Sequence, residues 1–571
     1  MKKFAYSIVI VLIVLILTIG VALFFLNYST ICGIVDGIFN DPLKLTHFKE
    51  KYLSASKFLV IKWSLTIVVI VLLMGILYWR KSLKVRIEII INELLVGMQG
   101  FYQSFHLLDK ITQRTLAGII FIAFSFSLYF AVTSPIFIDE VITFKDFTKN
   151  SLFVSLSYYP QPNNHVFYSF LTNISYSIFP FSPKISIRLI NVLLSVFTNL
   201  LFFRLSTKFL SDRASLISTT VFAFLFMNLL YSFQARGYEI LLFATIVIFY
   251  YLFQFLQFEG GKKYLSVYIL ASIIGFWAIP SFLYPFCILT SYVIFQLLRR
   301  NKFNLILQVI ISSAIISCCT IIVYSPVLLI SGLKSIVGNY YTMPIPRGEV
   351  AVRLLPHFLS TAKWLVAMPS EYISIAVVGV ALVLLVHAAK TKKSHFTVLI
   401  ALLLAPPVLL LLHSVIPFER SWIFLSIPFS IAMGWLADNC NVLRRPLVLY
   451  STISVLIIGL VLLFQTRHYE FYSRDYCLEE LTQHIDTSRS KSIGYDSDYD
   501  AETFRFALFS LNNNQRYTLM EQLTDSSSYD KYDIVLINDT HPHRSKLYII
   551  DSSHILMAKT VCGISFYQRV K

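Results

Sequence analysis

In SPIFIDEVITF, residues 134–144, two acids stand side by side, Asp139 and Glu140, directly after a long apolar run. Charges beside a membrane core are costly and mark functional sites by default. Neighbouring residues on a helix point about 100° apart, so this pair is badly arranged to share one proton. One carboxylate can face a cavity and act as general base toward a hydroxyl. The other can cap the helix or pair elsewhere. The plain alternative is that both simply mark the water boundary.

Three arginines occupy similar positions. Arg188 in SPKISIRLINVLL, Arg236 in QARGYEILLF and Arg420 in PFERSWIFLSIPF each open an apolar run. A guanidinium fork matches phosphate oxygens and stays charged when partly buried. A lipid phosphate is the obvious anion at a membrane surface. For any one of them, snorkelling to the interface is the competing reading. The stretch YYPQPNNHVFYSFL places Asn163, Asn164 and His165 after Pro160 and Pro162 and at the head of an aromatic segment. Amide and imidazole groups there can line a cleft, and either Asn can equally be a helix N-cap. DSDYD at 496–500 is not an EF-hand loop. Its sixth and twelfth places are Ala501 and Ala507, where Gly and Glu are needed. The seven cysteines lack metal-ligand spacing, and no metal site is read. Cys477 and Cys562 could pair if the tail faces an oxidising space.

These residues must be positioned by membrane helices. Hydrophobic residues make up 56% of the 571 positions. Windows of ~20 apolar residues give about 13 spans. They lie near 6–26, 58–79, 115–138, 186–205, 214–232, 238–257, 264–280, 282–298, 304–331, 372–389, 396–413, 421–437 and 446–465. From Arg467 onward there are 12 Lys+Arg and 15 Asp+Glu out of totals of 48 and 31, leaving +20 before that point and −3 after it. The +20 reads as topology rather than nucleic-acid binding, because basic loops mark the cytoplasmic face. Basic loops at 80–86, 207–213, 259–263, 299–302, 390–393 and 444–445 fall on one side. The long loop 139–185, the loops 233–237, 333–371 and 414–420, and the tail fall on the other. The N-terminus is therefore expected inside and the tail outside. Asp139 and Glu140 then head an outer loop whose segments FVSLSYY and HVFYSFLTNISYSIF suit short helices lying in the interface.

The expected fold class is an all-α polytopic membrane protein with a small C-terminal α/β soluble domain. The expected division is two extra N-terminal spans and an amphipathic linker at 1–114, a catalytic membrane core at 115–465, and an extracytoplasmic domain at 466–571. In that domain YDIVLIN, KLYIID and GISFYQR read as strands and AETFRFALFSLNN as a helix.

The ordered set of motifs resembles the GT-C membrane glycosyltransferases. The nearest branch is the bacterial one related to protein O-mannosyltransferases and to lipid A aminoarabinose transferase. The features carrying the resemblance are Asp139-Glu140 after the first core span, the long outer loop with prolines before an aromatic helix, and Arg188-Leu189. Ala235-Arg236-Gly237-Tyr238 and the pair Arg420 and Trp422 complete the set. The resemblance implies an inverting sugar transfer on the outer face, from a polyprenyl-phosphate-linked donor to a lipid, glycan or protein hydroxyl. It implies Asp139 as base with Glu140 in support, Arg236, Arg420 and Arg188 on the donor phosphate, and Asn163, Asn164, His165 and Tyr238 in the substrate cleft. Some members bind a divalent metal, Mg or Mn, and others do not. Where many relatives carry His-Pro-Pro in the loop, this chain has Asn163-Asn164-His165. The tail is not the β-trefoil of eukaryotic mannosyltransferases, which points to a bacterial inner membrane. A lipid or polysaccharide transporter or flippase is the competing class, and a non-catalytic scaffold a third.

Overall fold

A computed structural model describes residues 25–39, 54–78, 107–339, 343–391, 394–439 and 445–481. In the tail it describes 492–495, 519–522, 532–538, 554–559 and 564–569, with scattered positions in 81–105 and 500–507. The expected span 6–26 and the strand KLYIID fall almost wholly outside these residues, and the linker after the second span largely so.

Among the described residues nine helices are long and apolar enough to cross a membrane, and two shorter apolar helices, Lys263–Ala278 and Thr397–His413, accompany them. The chain is a polytopic helical membrane protein. The helix Lys110–Thr133 shows how its ends are coded. Asp109 caps it by accepting from the Ile111 and Thr112 amides. It stops at Ser134, which is extended because Pro135 follows. The chain restarts at Ile138–Ile142, where Glu140 reaches back to the Phe137 amide at 3.1 Å. The acid pair therefore sits on a short new helix.

The expected span 214–232 is two helices, Asp212–Phe224 and Phe226–Tyr231, broken at Leu225 (φ −58°, ψ 143°). Both lie inside the bundle, with every residue from Ala214 to Tyr231 buried. Against them packs Ser426–Asp438. A Cβ on Gly434 would come within 2.6 Å of Leu210 Cδ1 and 2.7 Å of Ser218 Cβ, so only glycine allows this approach. The turn at Pro280 is a single 3₁₀ turn, Pro280–Phe282, between Lys262–Ala278 and Leu283–Arg299.

The long loop folds as Thr143–Thr148, a π-helical turn, then Leu152–Ser157 and Val166–Ile178. The apolar helix expected to end near 465 continues to Leu481. Its polar end braces the acid-bearing turn. Phe471 stacks on Phe137 at 4.6 Å, and the His468 Nε2 and Ser134 Oγ atoms hydrogen-bond at 2.8 Å. Near the N-terminus, Ala55–Tyr78 packs Phe58, Leu65 and Val69 against Leu329 and Ile330.

Five strands of the tail, β1 (Ser492–Tyr495), β2 (Leu519–Gln522), β3 (Ile534–Asn538), β4 (His554–Lys559) and β5 (Ile564–Arg569), form one sheet of order β2-β1-β3-β5-β4. β1 pairs in parallel with β2 and β3, while β5 is antiparallel to β3 and β4. The runs YDIVLIN and GISFYQR supply β3 and β5. Of the other three, β1 and β2 have only four residues each and do not stand out from their polar surroundings.

Candidate active site

The two adjacent acids have separate fates. Glu140 is fully buried. Its Oε1 accepts from Arg188 Nε (2.9 Å) and the Ala235 amide (2.7 Å), and its Oε2 from Arg188 Nη2 (2.6 Å) and the Phe137 amide (3.1 Å). Arg188 is equally buried and donates further to the carbonyls of Ala131 (3.0 Å), Ser134 (2.9 Å) and Pro135 (2.6 Å). All five guanidinium N–H groups are thus spent inside the protein. This corrects one expectation: Arg188 has no donor left for a phosphate. Glu140 caps the turn at Phe137 and pairs with Arg188, so it supports the loop rather than the acceptor. Together they lock the Pro135 turn to the Pro183–Ser206 helix.

Asp139 points the other way. Its Oδ2 is 3.0 Å from Arg420 Nη1 and 3.7 Å from Arg236 Nη2, and its side chain is 19% exposed. Its Oδ1 has no hydrogen-bond partner among the described residues. Burial alone would raise its pKa, but the Arg236 and Arg420 guanidiniums more than offset that and hold it below the ordinary value. The carboxylate is ionised and only weakly basic in this state.

Arg236 is aimed by its neighbours. Nη1 donates to the Asn163 carbonyl (3.1 Å), to Asn163 Oδ1, and at longer range to Thr143 Oγ1 (3.4 Å). The stretch Gln234–Gly237 before the Tyr238–Gln257 helix is irregular, and three groups hold it. Asn191 Nδ2 donates to the carbonyls of Gln234 and Arg236, both at 2.7 Å; Glu140 takes the Ala235 amide; His165 Nδ1 takes the Gly237 amide at 2.9 Å. A Cβ on Gly237 would lie 2.6 Å from His165 Nδ1. Gly237→Ala is therefore expected to push His165 aside and cost about 1–3 kcal/mol of stability. A lowered thermal unfolding midpoint of the purified protein is the check.

Arg420 lies over the Phe418 ring at 4.4 Å and the Tyr238 ring at 5.8 Å. Next to it Trp422 Nε1 donates to His357 Nε2 at 2.8 Å, and both side chains are buried. His165 is buried, and that burial, with Arg236 and Arg420 close by, pushes its pKa well below the ordinary value. With Nδ1 accepting, Nε2 carries the proton.

Several buried polar atoms around this cluster have no hydrogen-bond partner among the described residues: Arg236 Nε, Arg420 Nε, His165 Nε2 and the Tyr231 hydroxyl. Buried N–H groups are rarely left so. The set suits an anion with several oxygens.

Asp139, Arg236, Arg420, Asn163, His165 and Tyr238 are thus brought together. Asn164 is not in the cleft. It is buried and donates to the carbonyls of Ser155 (3.0 Å) and Tyr158 (2.7 Å), pinning the long loop. Neither Asn is the N-cap; His165 is. Sequence reasoning missed Asn191, one turn beyond Arg188 on the same helix face, a spacing that could have marked it. It also missed Thr143 and Tyr231, whose surroundings give no local signal. Among the described residues no group of three His, Cys, Asp or Glu could hold a metal ion. Two guanidiniums flank the one accessible carboxylate, so this donor set does not fit a divalent cation.

No protein-family model matches the sequence, and no curated protein matches it. Solved structures do. ArnT from Cupriavidus metallidurans bound to undecaprenyl phosphate aligns with a TM-score of 0.52 at 10% identity, over 80% of this chain and 98% of that one. The apo state of the same enzyme aligns with a TM-score of 0.54 at 11% identity, over 80% of this chain and 97% of that one. The chain has the GT-C fold, the fold of the membrane glycosyltransferases to which ArnT belongs.

Proposed function

We propose that this protein is an inverting glycosyltransferase. It moves a sugar from a polyprenyl-phosphate-linked donor to a hydroxyl acceptor, a lipid, glycan or protein, at the outer face of a bacterial inner membrane. The observation that carries this reading is the single ionised Asp139 set against Arg236 and Arg420, beside buried N–H groups that lack partners. The fold shared with a protein solved with undecaprenyl phosphate bound supports the donor class.

The donor phosphate lies against Arg236 and Arg420, with His165 Nε2–H as a further donor. Asp139 Oδ1 takes the acceptor hydroxyl proton. The acceptor oxygen forms a bond to the anomeric carbon from the side opposite the phosphate. The bond from that carbon to the phosphate oxygen breaks, and its electron pair leaves with the polyprenyl phosphate. The arginines stabilise the charge that develops there. A phosphate that draws on the same two guanidiniums also loosens their hold on Asp139. Its basicity then rises when the donor is in place.

The test is native mass spectrometry of the purified protein with undecaprenyl phosphate. Wild type is expected to retain the lipid. Arg420→Gln and Arg236→Gln are each expected to weaken retention roughly 10- to 100-fold, the value of a lost charge-assisted hydrogen bond. Equal retention in all three would remove the phosphate site from these residues.

The outer location of the tail is supported by Cys477, which is disulfide-bonded, whereas Cys32, Cys287, Cys318 and Cys319 are free thiols. Disulfides persist in oxidising compartments. Cys562 is the partner proposed here. Peptide mapping without reductant should yield a Cys477–Cys562 linked peptide that vanishes on reduction. Free thiols at both positions in protein from intact cells would place the tail inside.

A further inference from the structure

The helices that carry the site also build a cavity at their other ends. Tyr238–Gln257 begins beside Arg420 and ends at Gln257. Its 20 residues rise about 30 Å, one hydrocarbon thickness. Pro183–Ser206 runs alongside, from Arg188 to Thr207. Between these far ends, the end of Leu283–Arg299 and the turn Ser394–Phe396 lies a cavity of about 560 Å³. That volume is in the range of small-ligand sites.

Its polar lining includes Lys208, Gln257, Tyr292, Gln296, Arg300 and His395. No carboxylate lines it among the described residues. Lys208 and Arg300 come from the basic loops 207–213 and 299–302, Gln257 ends the Tyr238–Gln257 helix, and His395 lies in the turn Ser394–Phe396. Four segments separated in sequence thus meet at one hollow. The groups are arranged rather than merely solvated. Lys208 Nζ sits 5.4 Å from the Tyr250 ring centroid, Arg300 Nη1 donates to the Leu256 carbonyl at 3.0 Å, and the Tyr292 and Thr397 hydroxyls hydrogen-bond at 2.7 Å. The His395 ring packs 5.4 Å from Phe209 and 5.8 Å from Phe253. The nearby acid, Glu259, is turned outward onto Lys302 at 2.9 Å. Phe253 and Leu256 supply the apolar part of the lining.

We infer that this cavity binds a phosphate-bearing headgroup at the face of the membrane opposite the Asp139 site. Lysine and arginine supply the charge, the glutamine amides and the tyrosine hydroxyl supply neutral donors, and Phe253 and Leu256 meet the first carbons of a lipid. The same phosphate chemistry can arrive on a membrane lipid or on a soluble phosphomonoester. The inference does not depend on the proposed transfer reaction.

The test uses the full purified chain and native mass spectrometry with three probes: dioleoyl phosphatidylglycerol, dioleoyl phosphatidylcholine and glycerol 3-phosphate. The wild type is compared with the double variant Lys208→Gln/Arg300→Gln. Lys302→Gln, a charge removed outside the cavity, is the control. Each basic group near an anionic lipid surface contributes about fivefold, so the double variant should bind phosphatidylglycerol on the order of 30-fold more weakly. The control should match wild type, and phosphatidylcholine should bind weakly to all. That pattern supports a lipid source. Glycerol phosphate bound by wild type and lost in the double variant supports the site with a soluble source. Phosphatidylglycerol bound equally by all three proteins, or no probe bound by wild type, overturns the inference. An unchanged circular dichroism spectrum and melting temperature in the double variant separate lost binding from lost folding.

Discussion

Asp139→Asn is expected to lower sugar transfer roughly 10²- to 10⁴-fold, the range for removing a positioned general base, while leaving the fold and undecaprenyl phosphate retention intact. The side chain is nearly isosteric and the site around it is already built. Arg236 is held by Asn163, and Arg420 by the rings of Phe418 and Tyr238. Removing the carboxylate charge also removes a competitor for both guanidiniums. Lipid phosphate retention should therefore hold or tighten as turnover falls. A flippase would keep much of its transport in this variant, and a scaffold would be indifferent. Tight lipid retention with unchanged transfer would sink the role given to Asp139. The pH profile carries the same logic. The arginines hold the Asp139 carboxyl below its ordinary pKa, so it stays ionised as pH falls through neutrality. In kcat/KM, which reports the donor-free enzyme, the base should cost activity only in the acid range, as pH drops through that lowered value. A half-loss of activity near neutrality in wild type would have to come from another group.

Much of this site was legible because charged residues are scarce in an apolar chain. Asp139, Arg236 and Arg420 are each isolated at the edge of a hydrophobic run, and the loop charges place them on one side. What could not be read was the pairing. Arg188, Arg236 and Arg420 look alike in sequence, since each opens a span. Only the three-dimensional path of the Pro135 turn shows that Arg188 meets Glu140 and the carbonyls of Ala131, Ser134 and Pro135. The break at Leu225 was hidden for a related reason. Both sides of it are apolar, and the extended residue between them is set by packing rather than by proline or glycine. The long helix to Leu481 was cut short at 465 because the hydropathy signal ends there. Its helical continuation is held by Phe471 on Phe137 and by His468 on Ser134.

The Glu140–Arg188 pair yields the other large effect, on folding rather than on chemistry. Arg188→Met leaves Glu140 buried with a charge and two vacated acceptor positions, and frees three backbone carbonyls. Breaking one partner of a buried pair costs about 3–5 kcal/mol. That is a large part of the stability of most proteins. The variant is expected to be poorly recovered from membranes and to melt well below wild type. Glu140→Gln should be milder, because the amide keeps its shape and the oxygen toward Arg188, yet it turns one acceptor into a donor facing an N–H. The double variant Glu140→Leu/Arg188→Met removes both charges together. It should recover part of the lost melting temperature without restoring transfer, since the turn that aims Asp139 would lose its anchors to Ala235 and Pro135. Undecaprenyl phosphate retention tests the positioning role of Arg188. If Arg188→Met folded normally and lost only the lipid, Arg188 would be a phosphate ligand after all. If folded double variant still retains the lipid through Arg236 and Arg420 while transfer stays low, the pair acts by positioning Asp139.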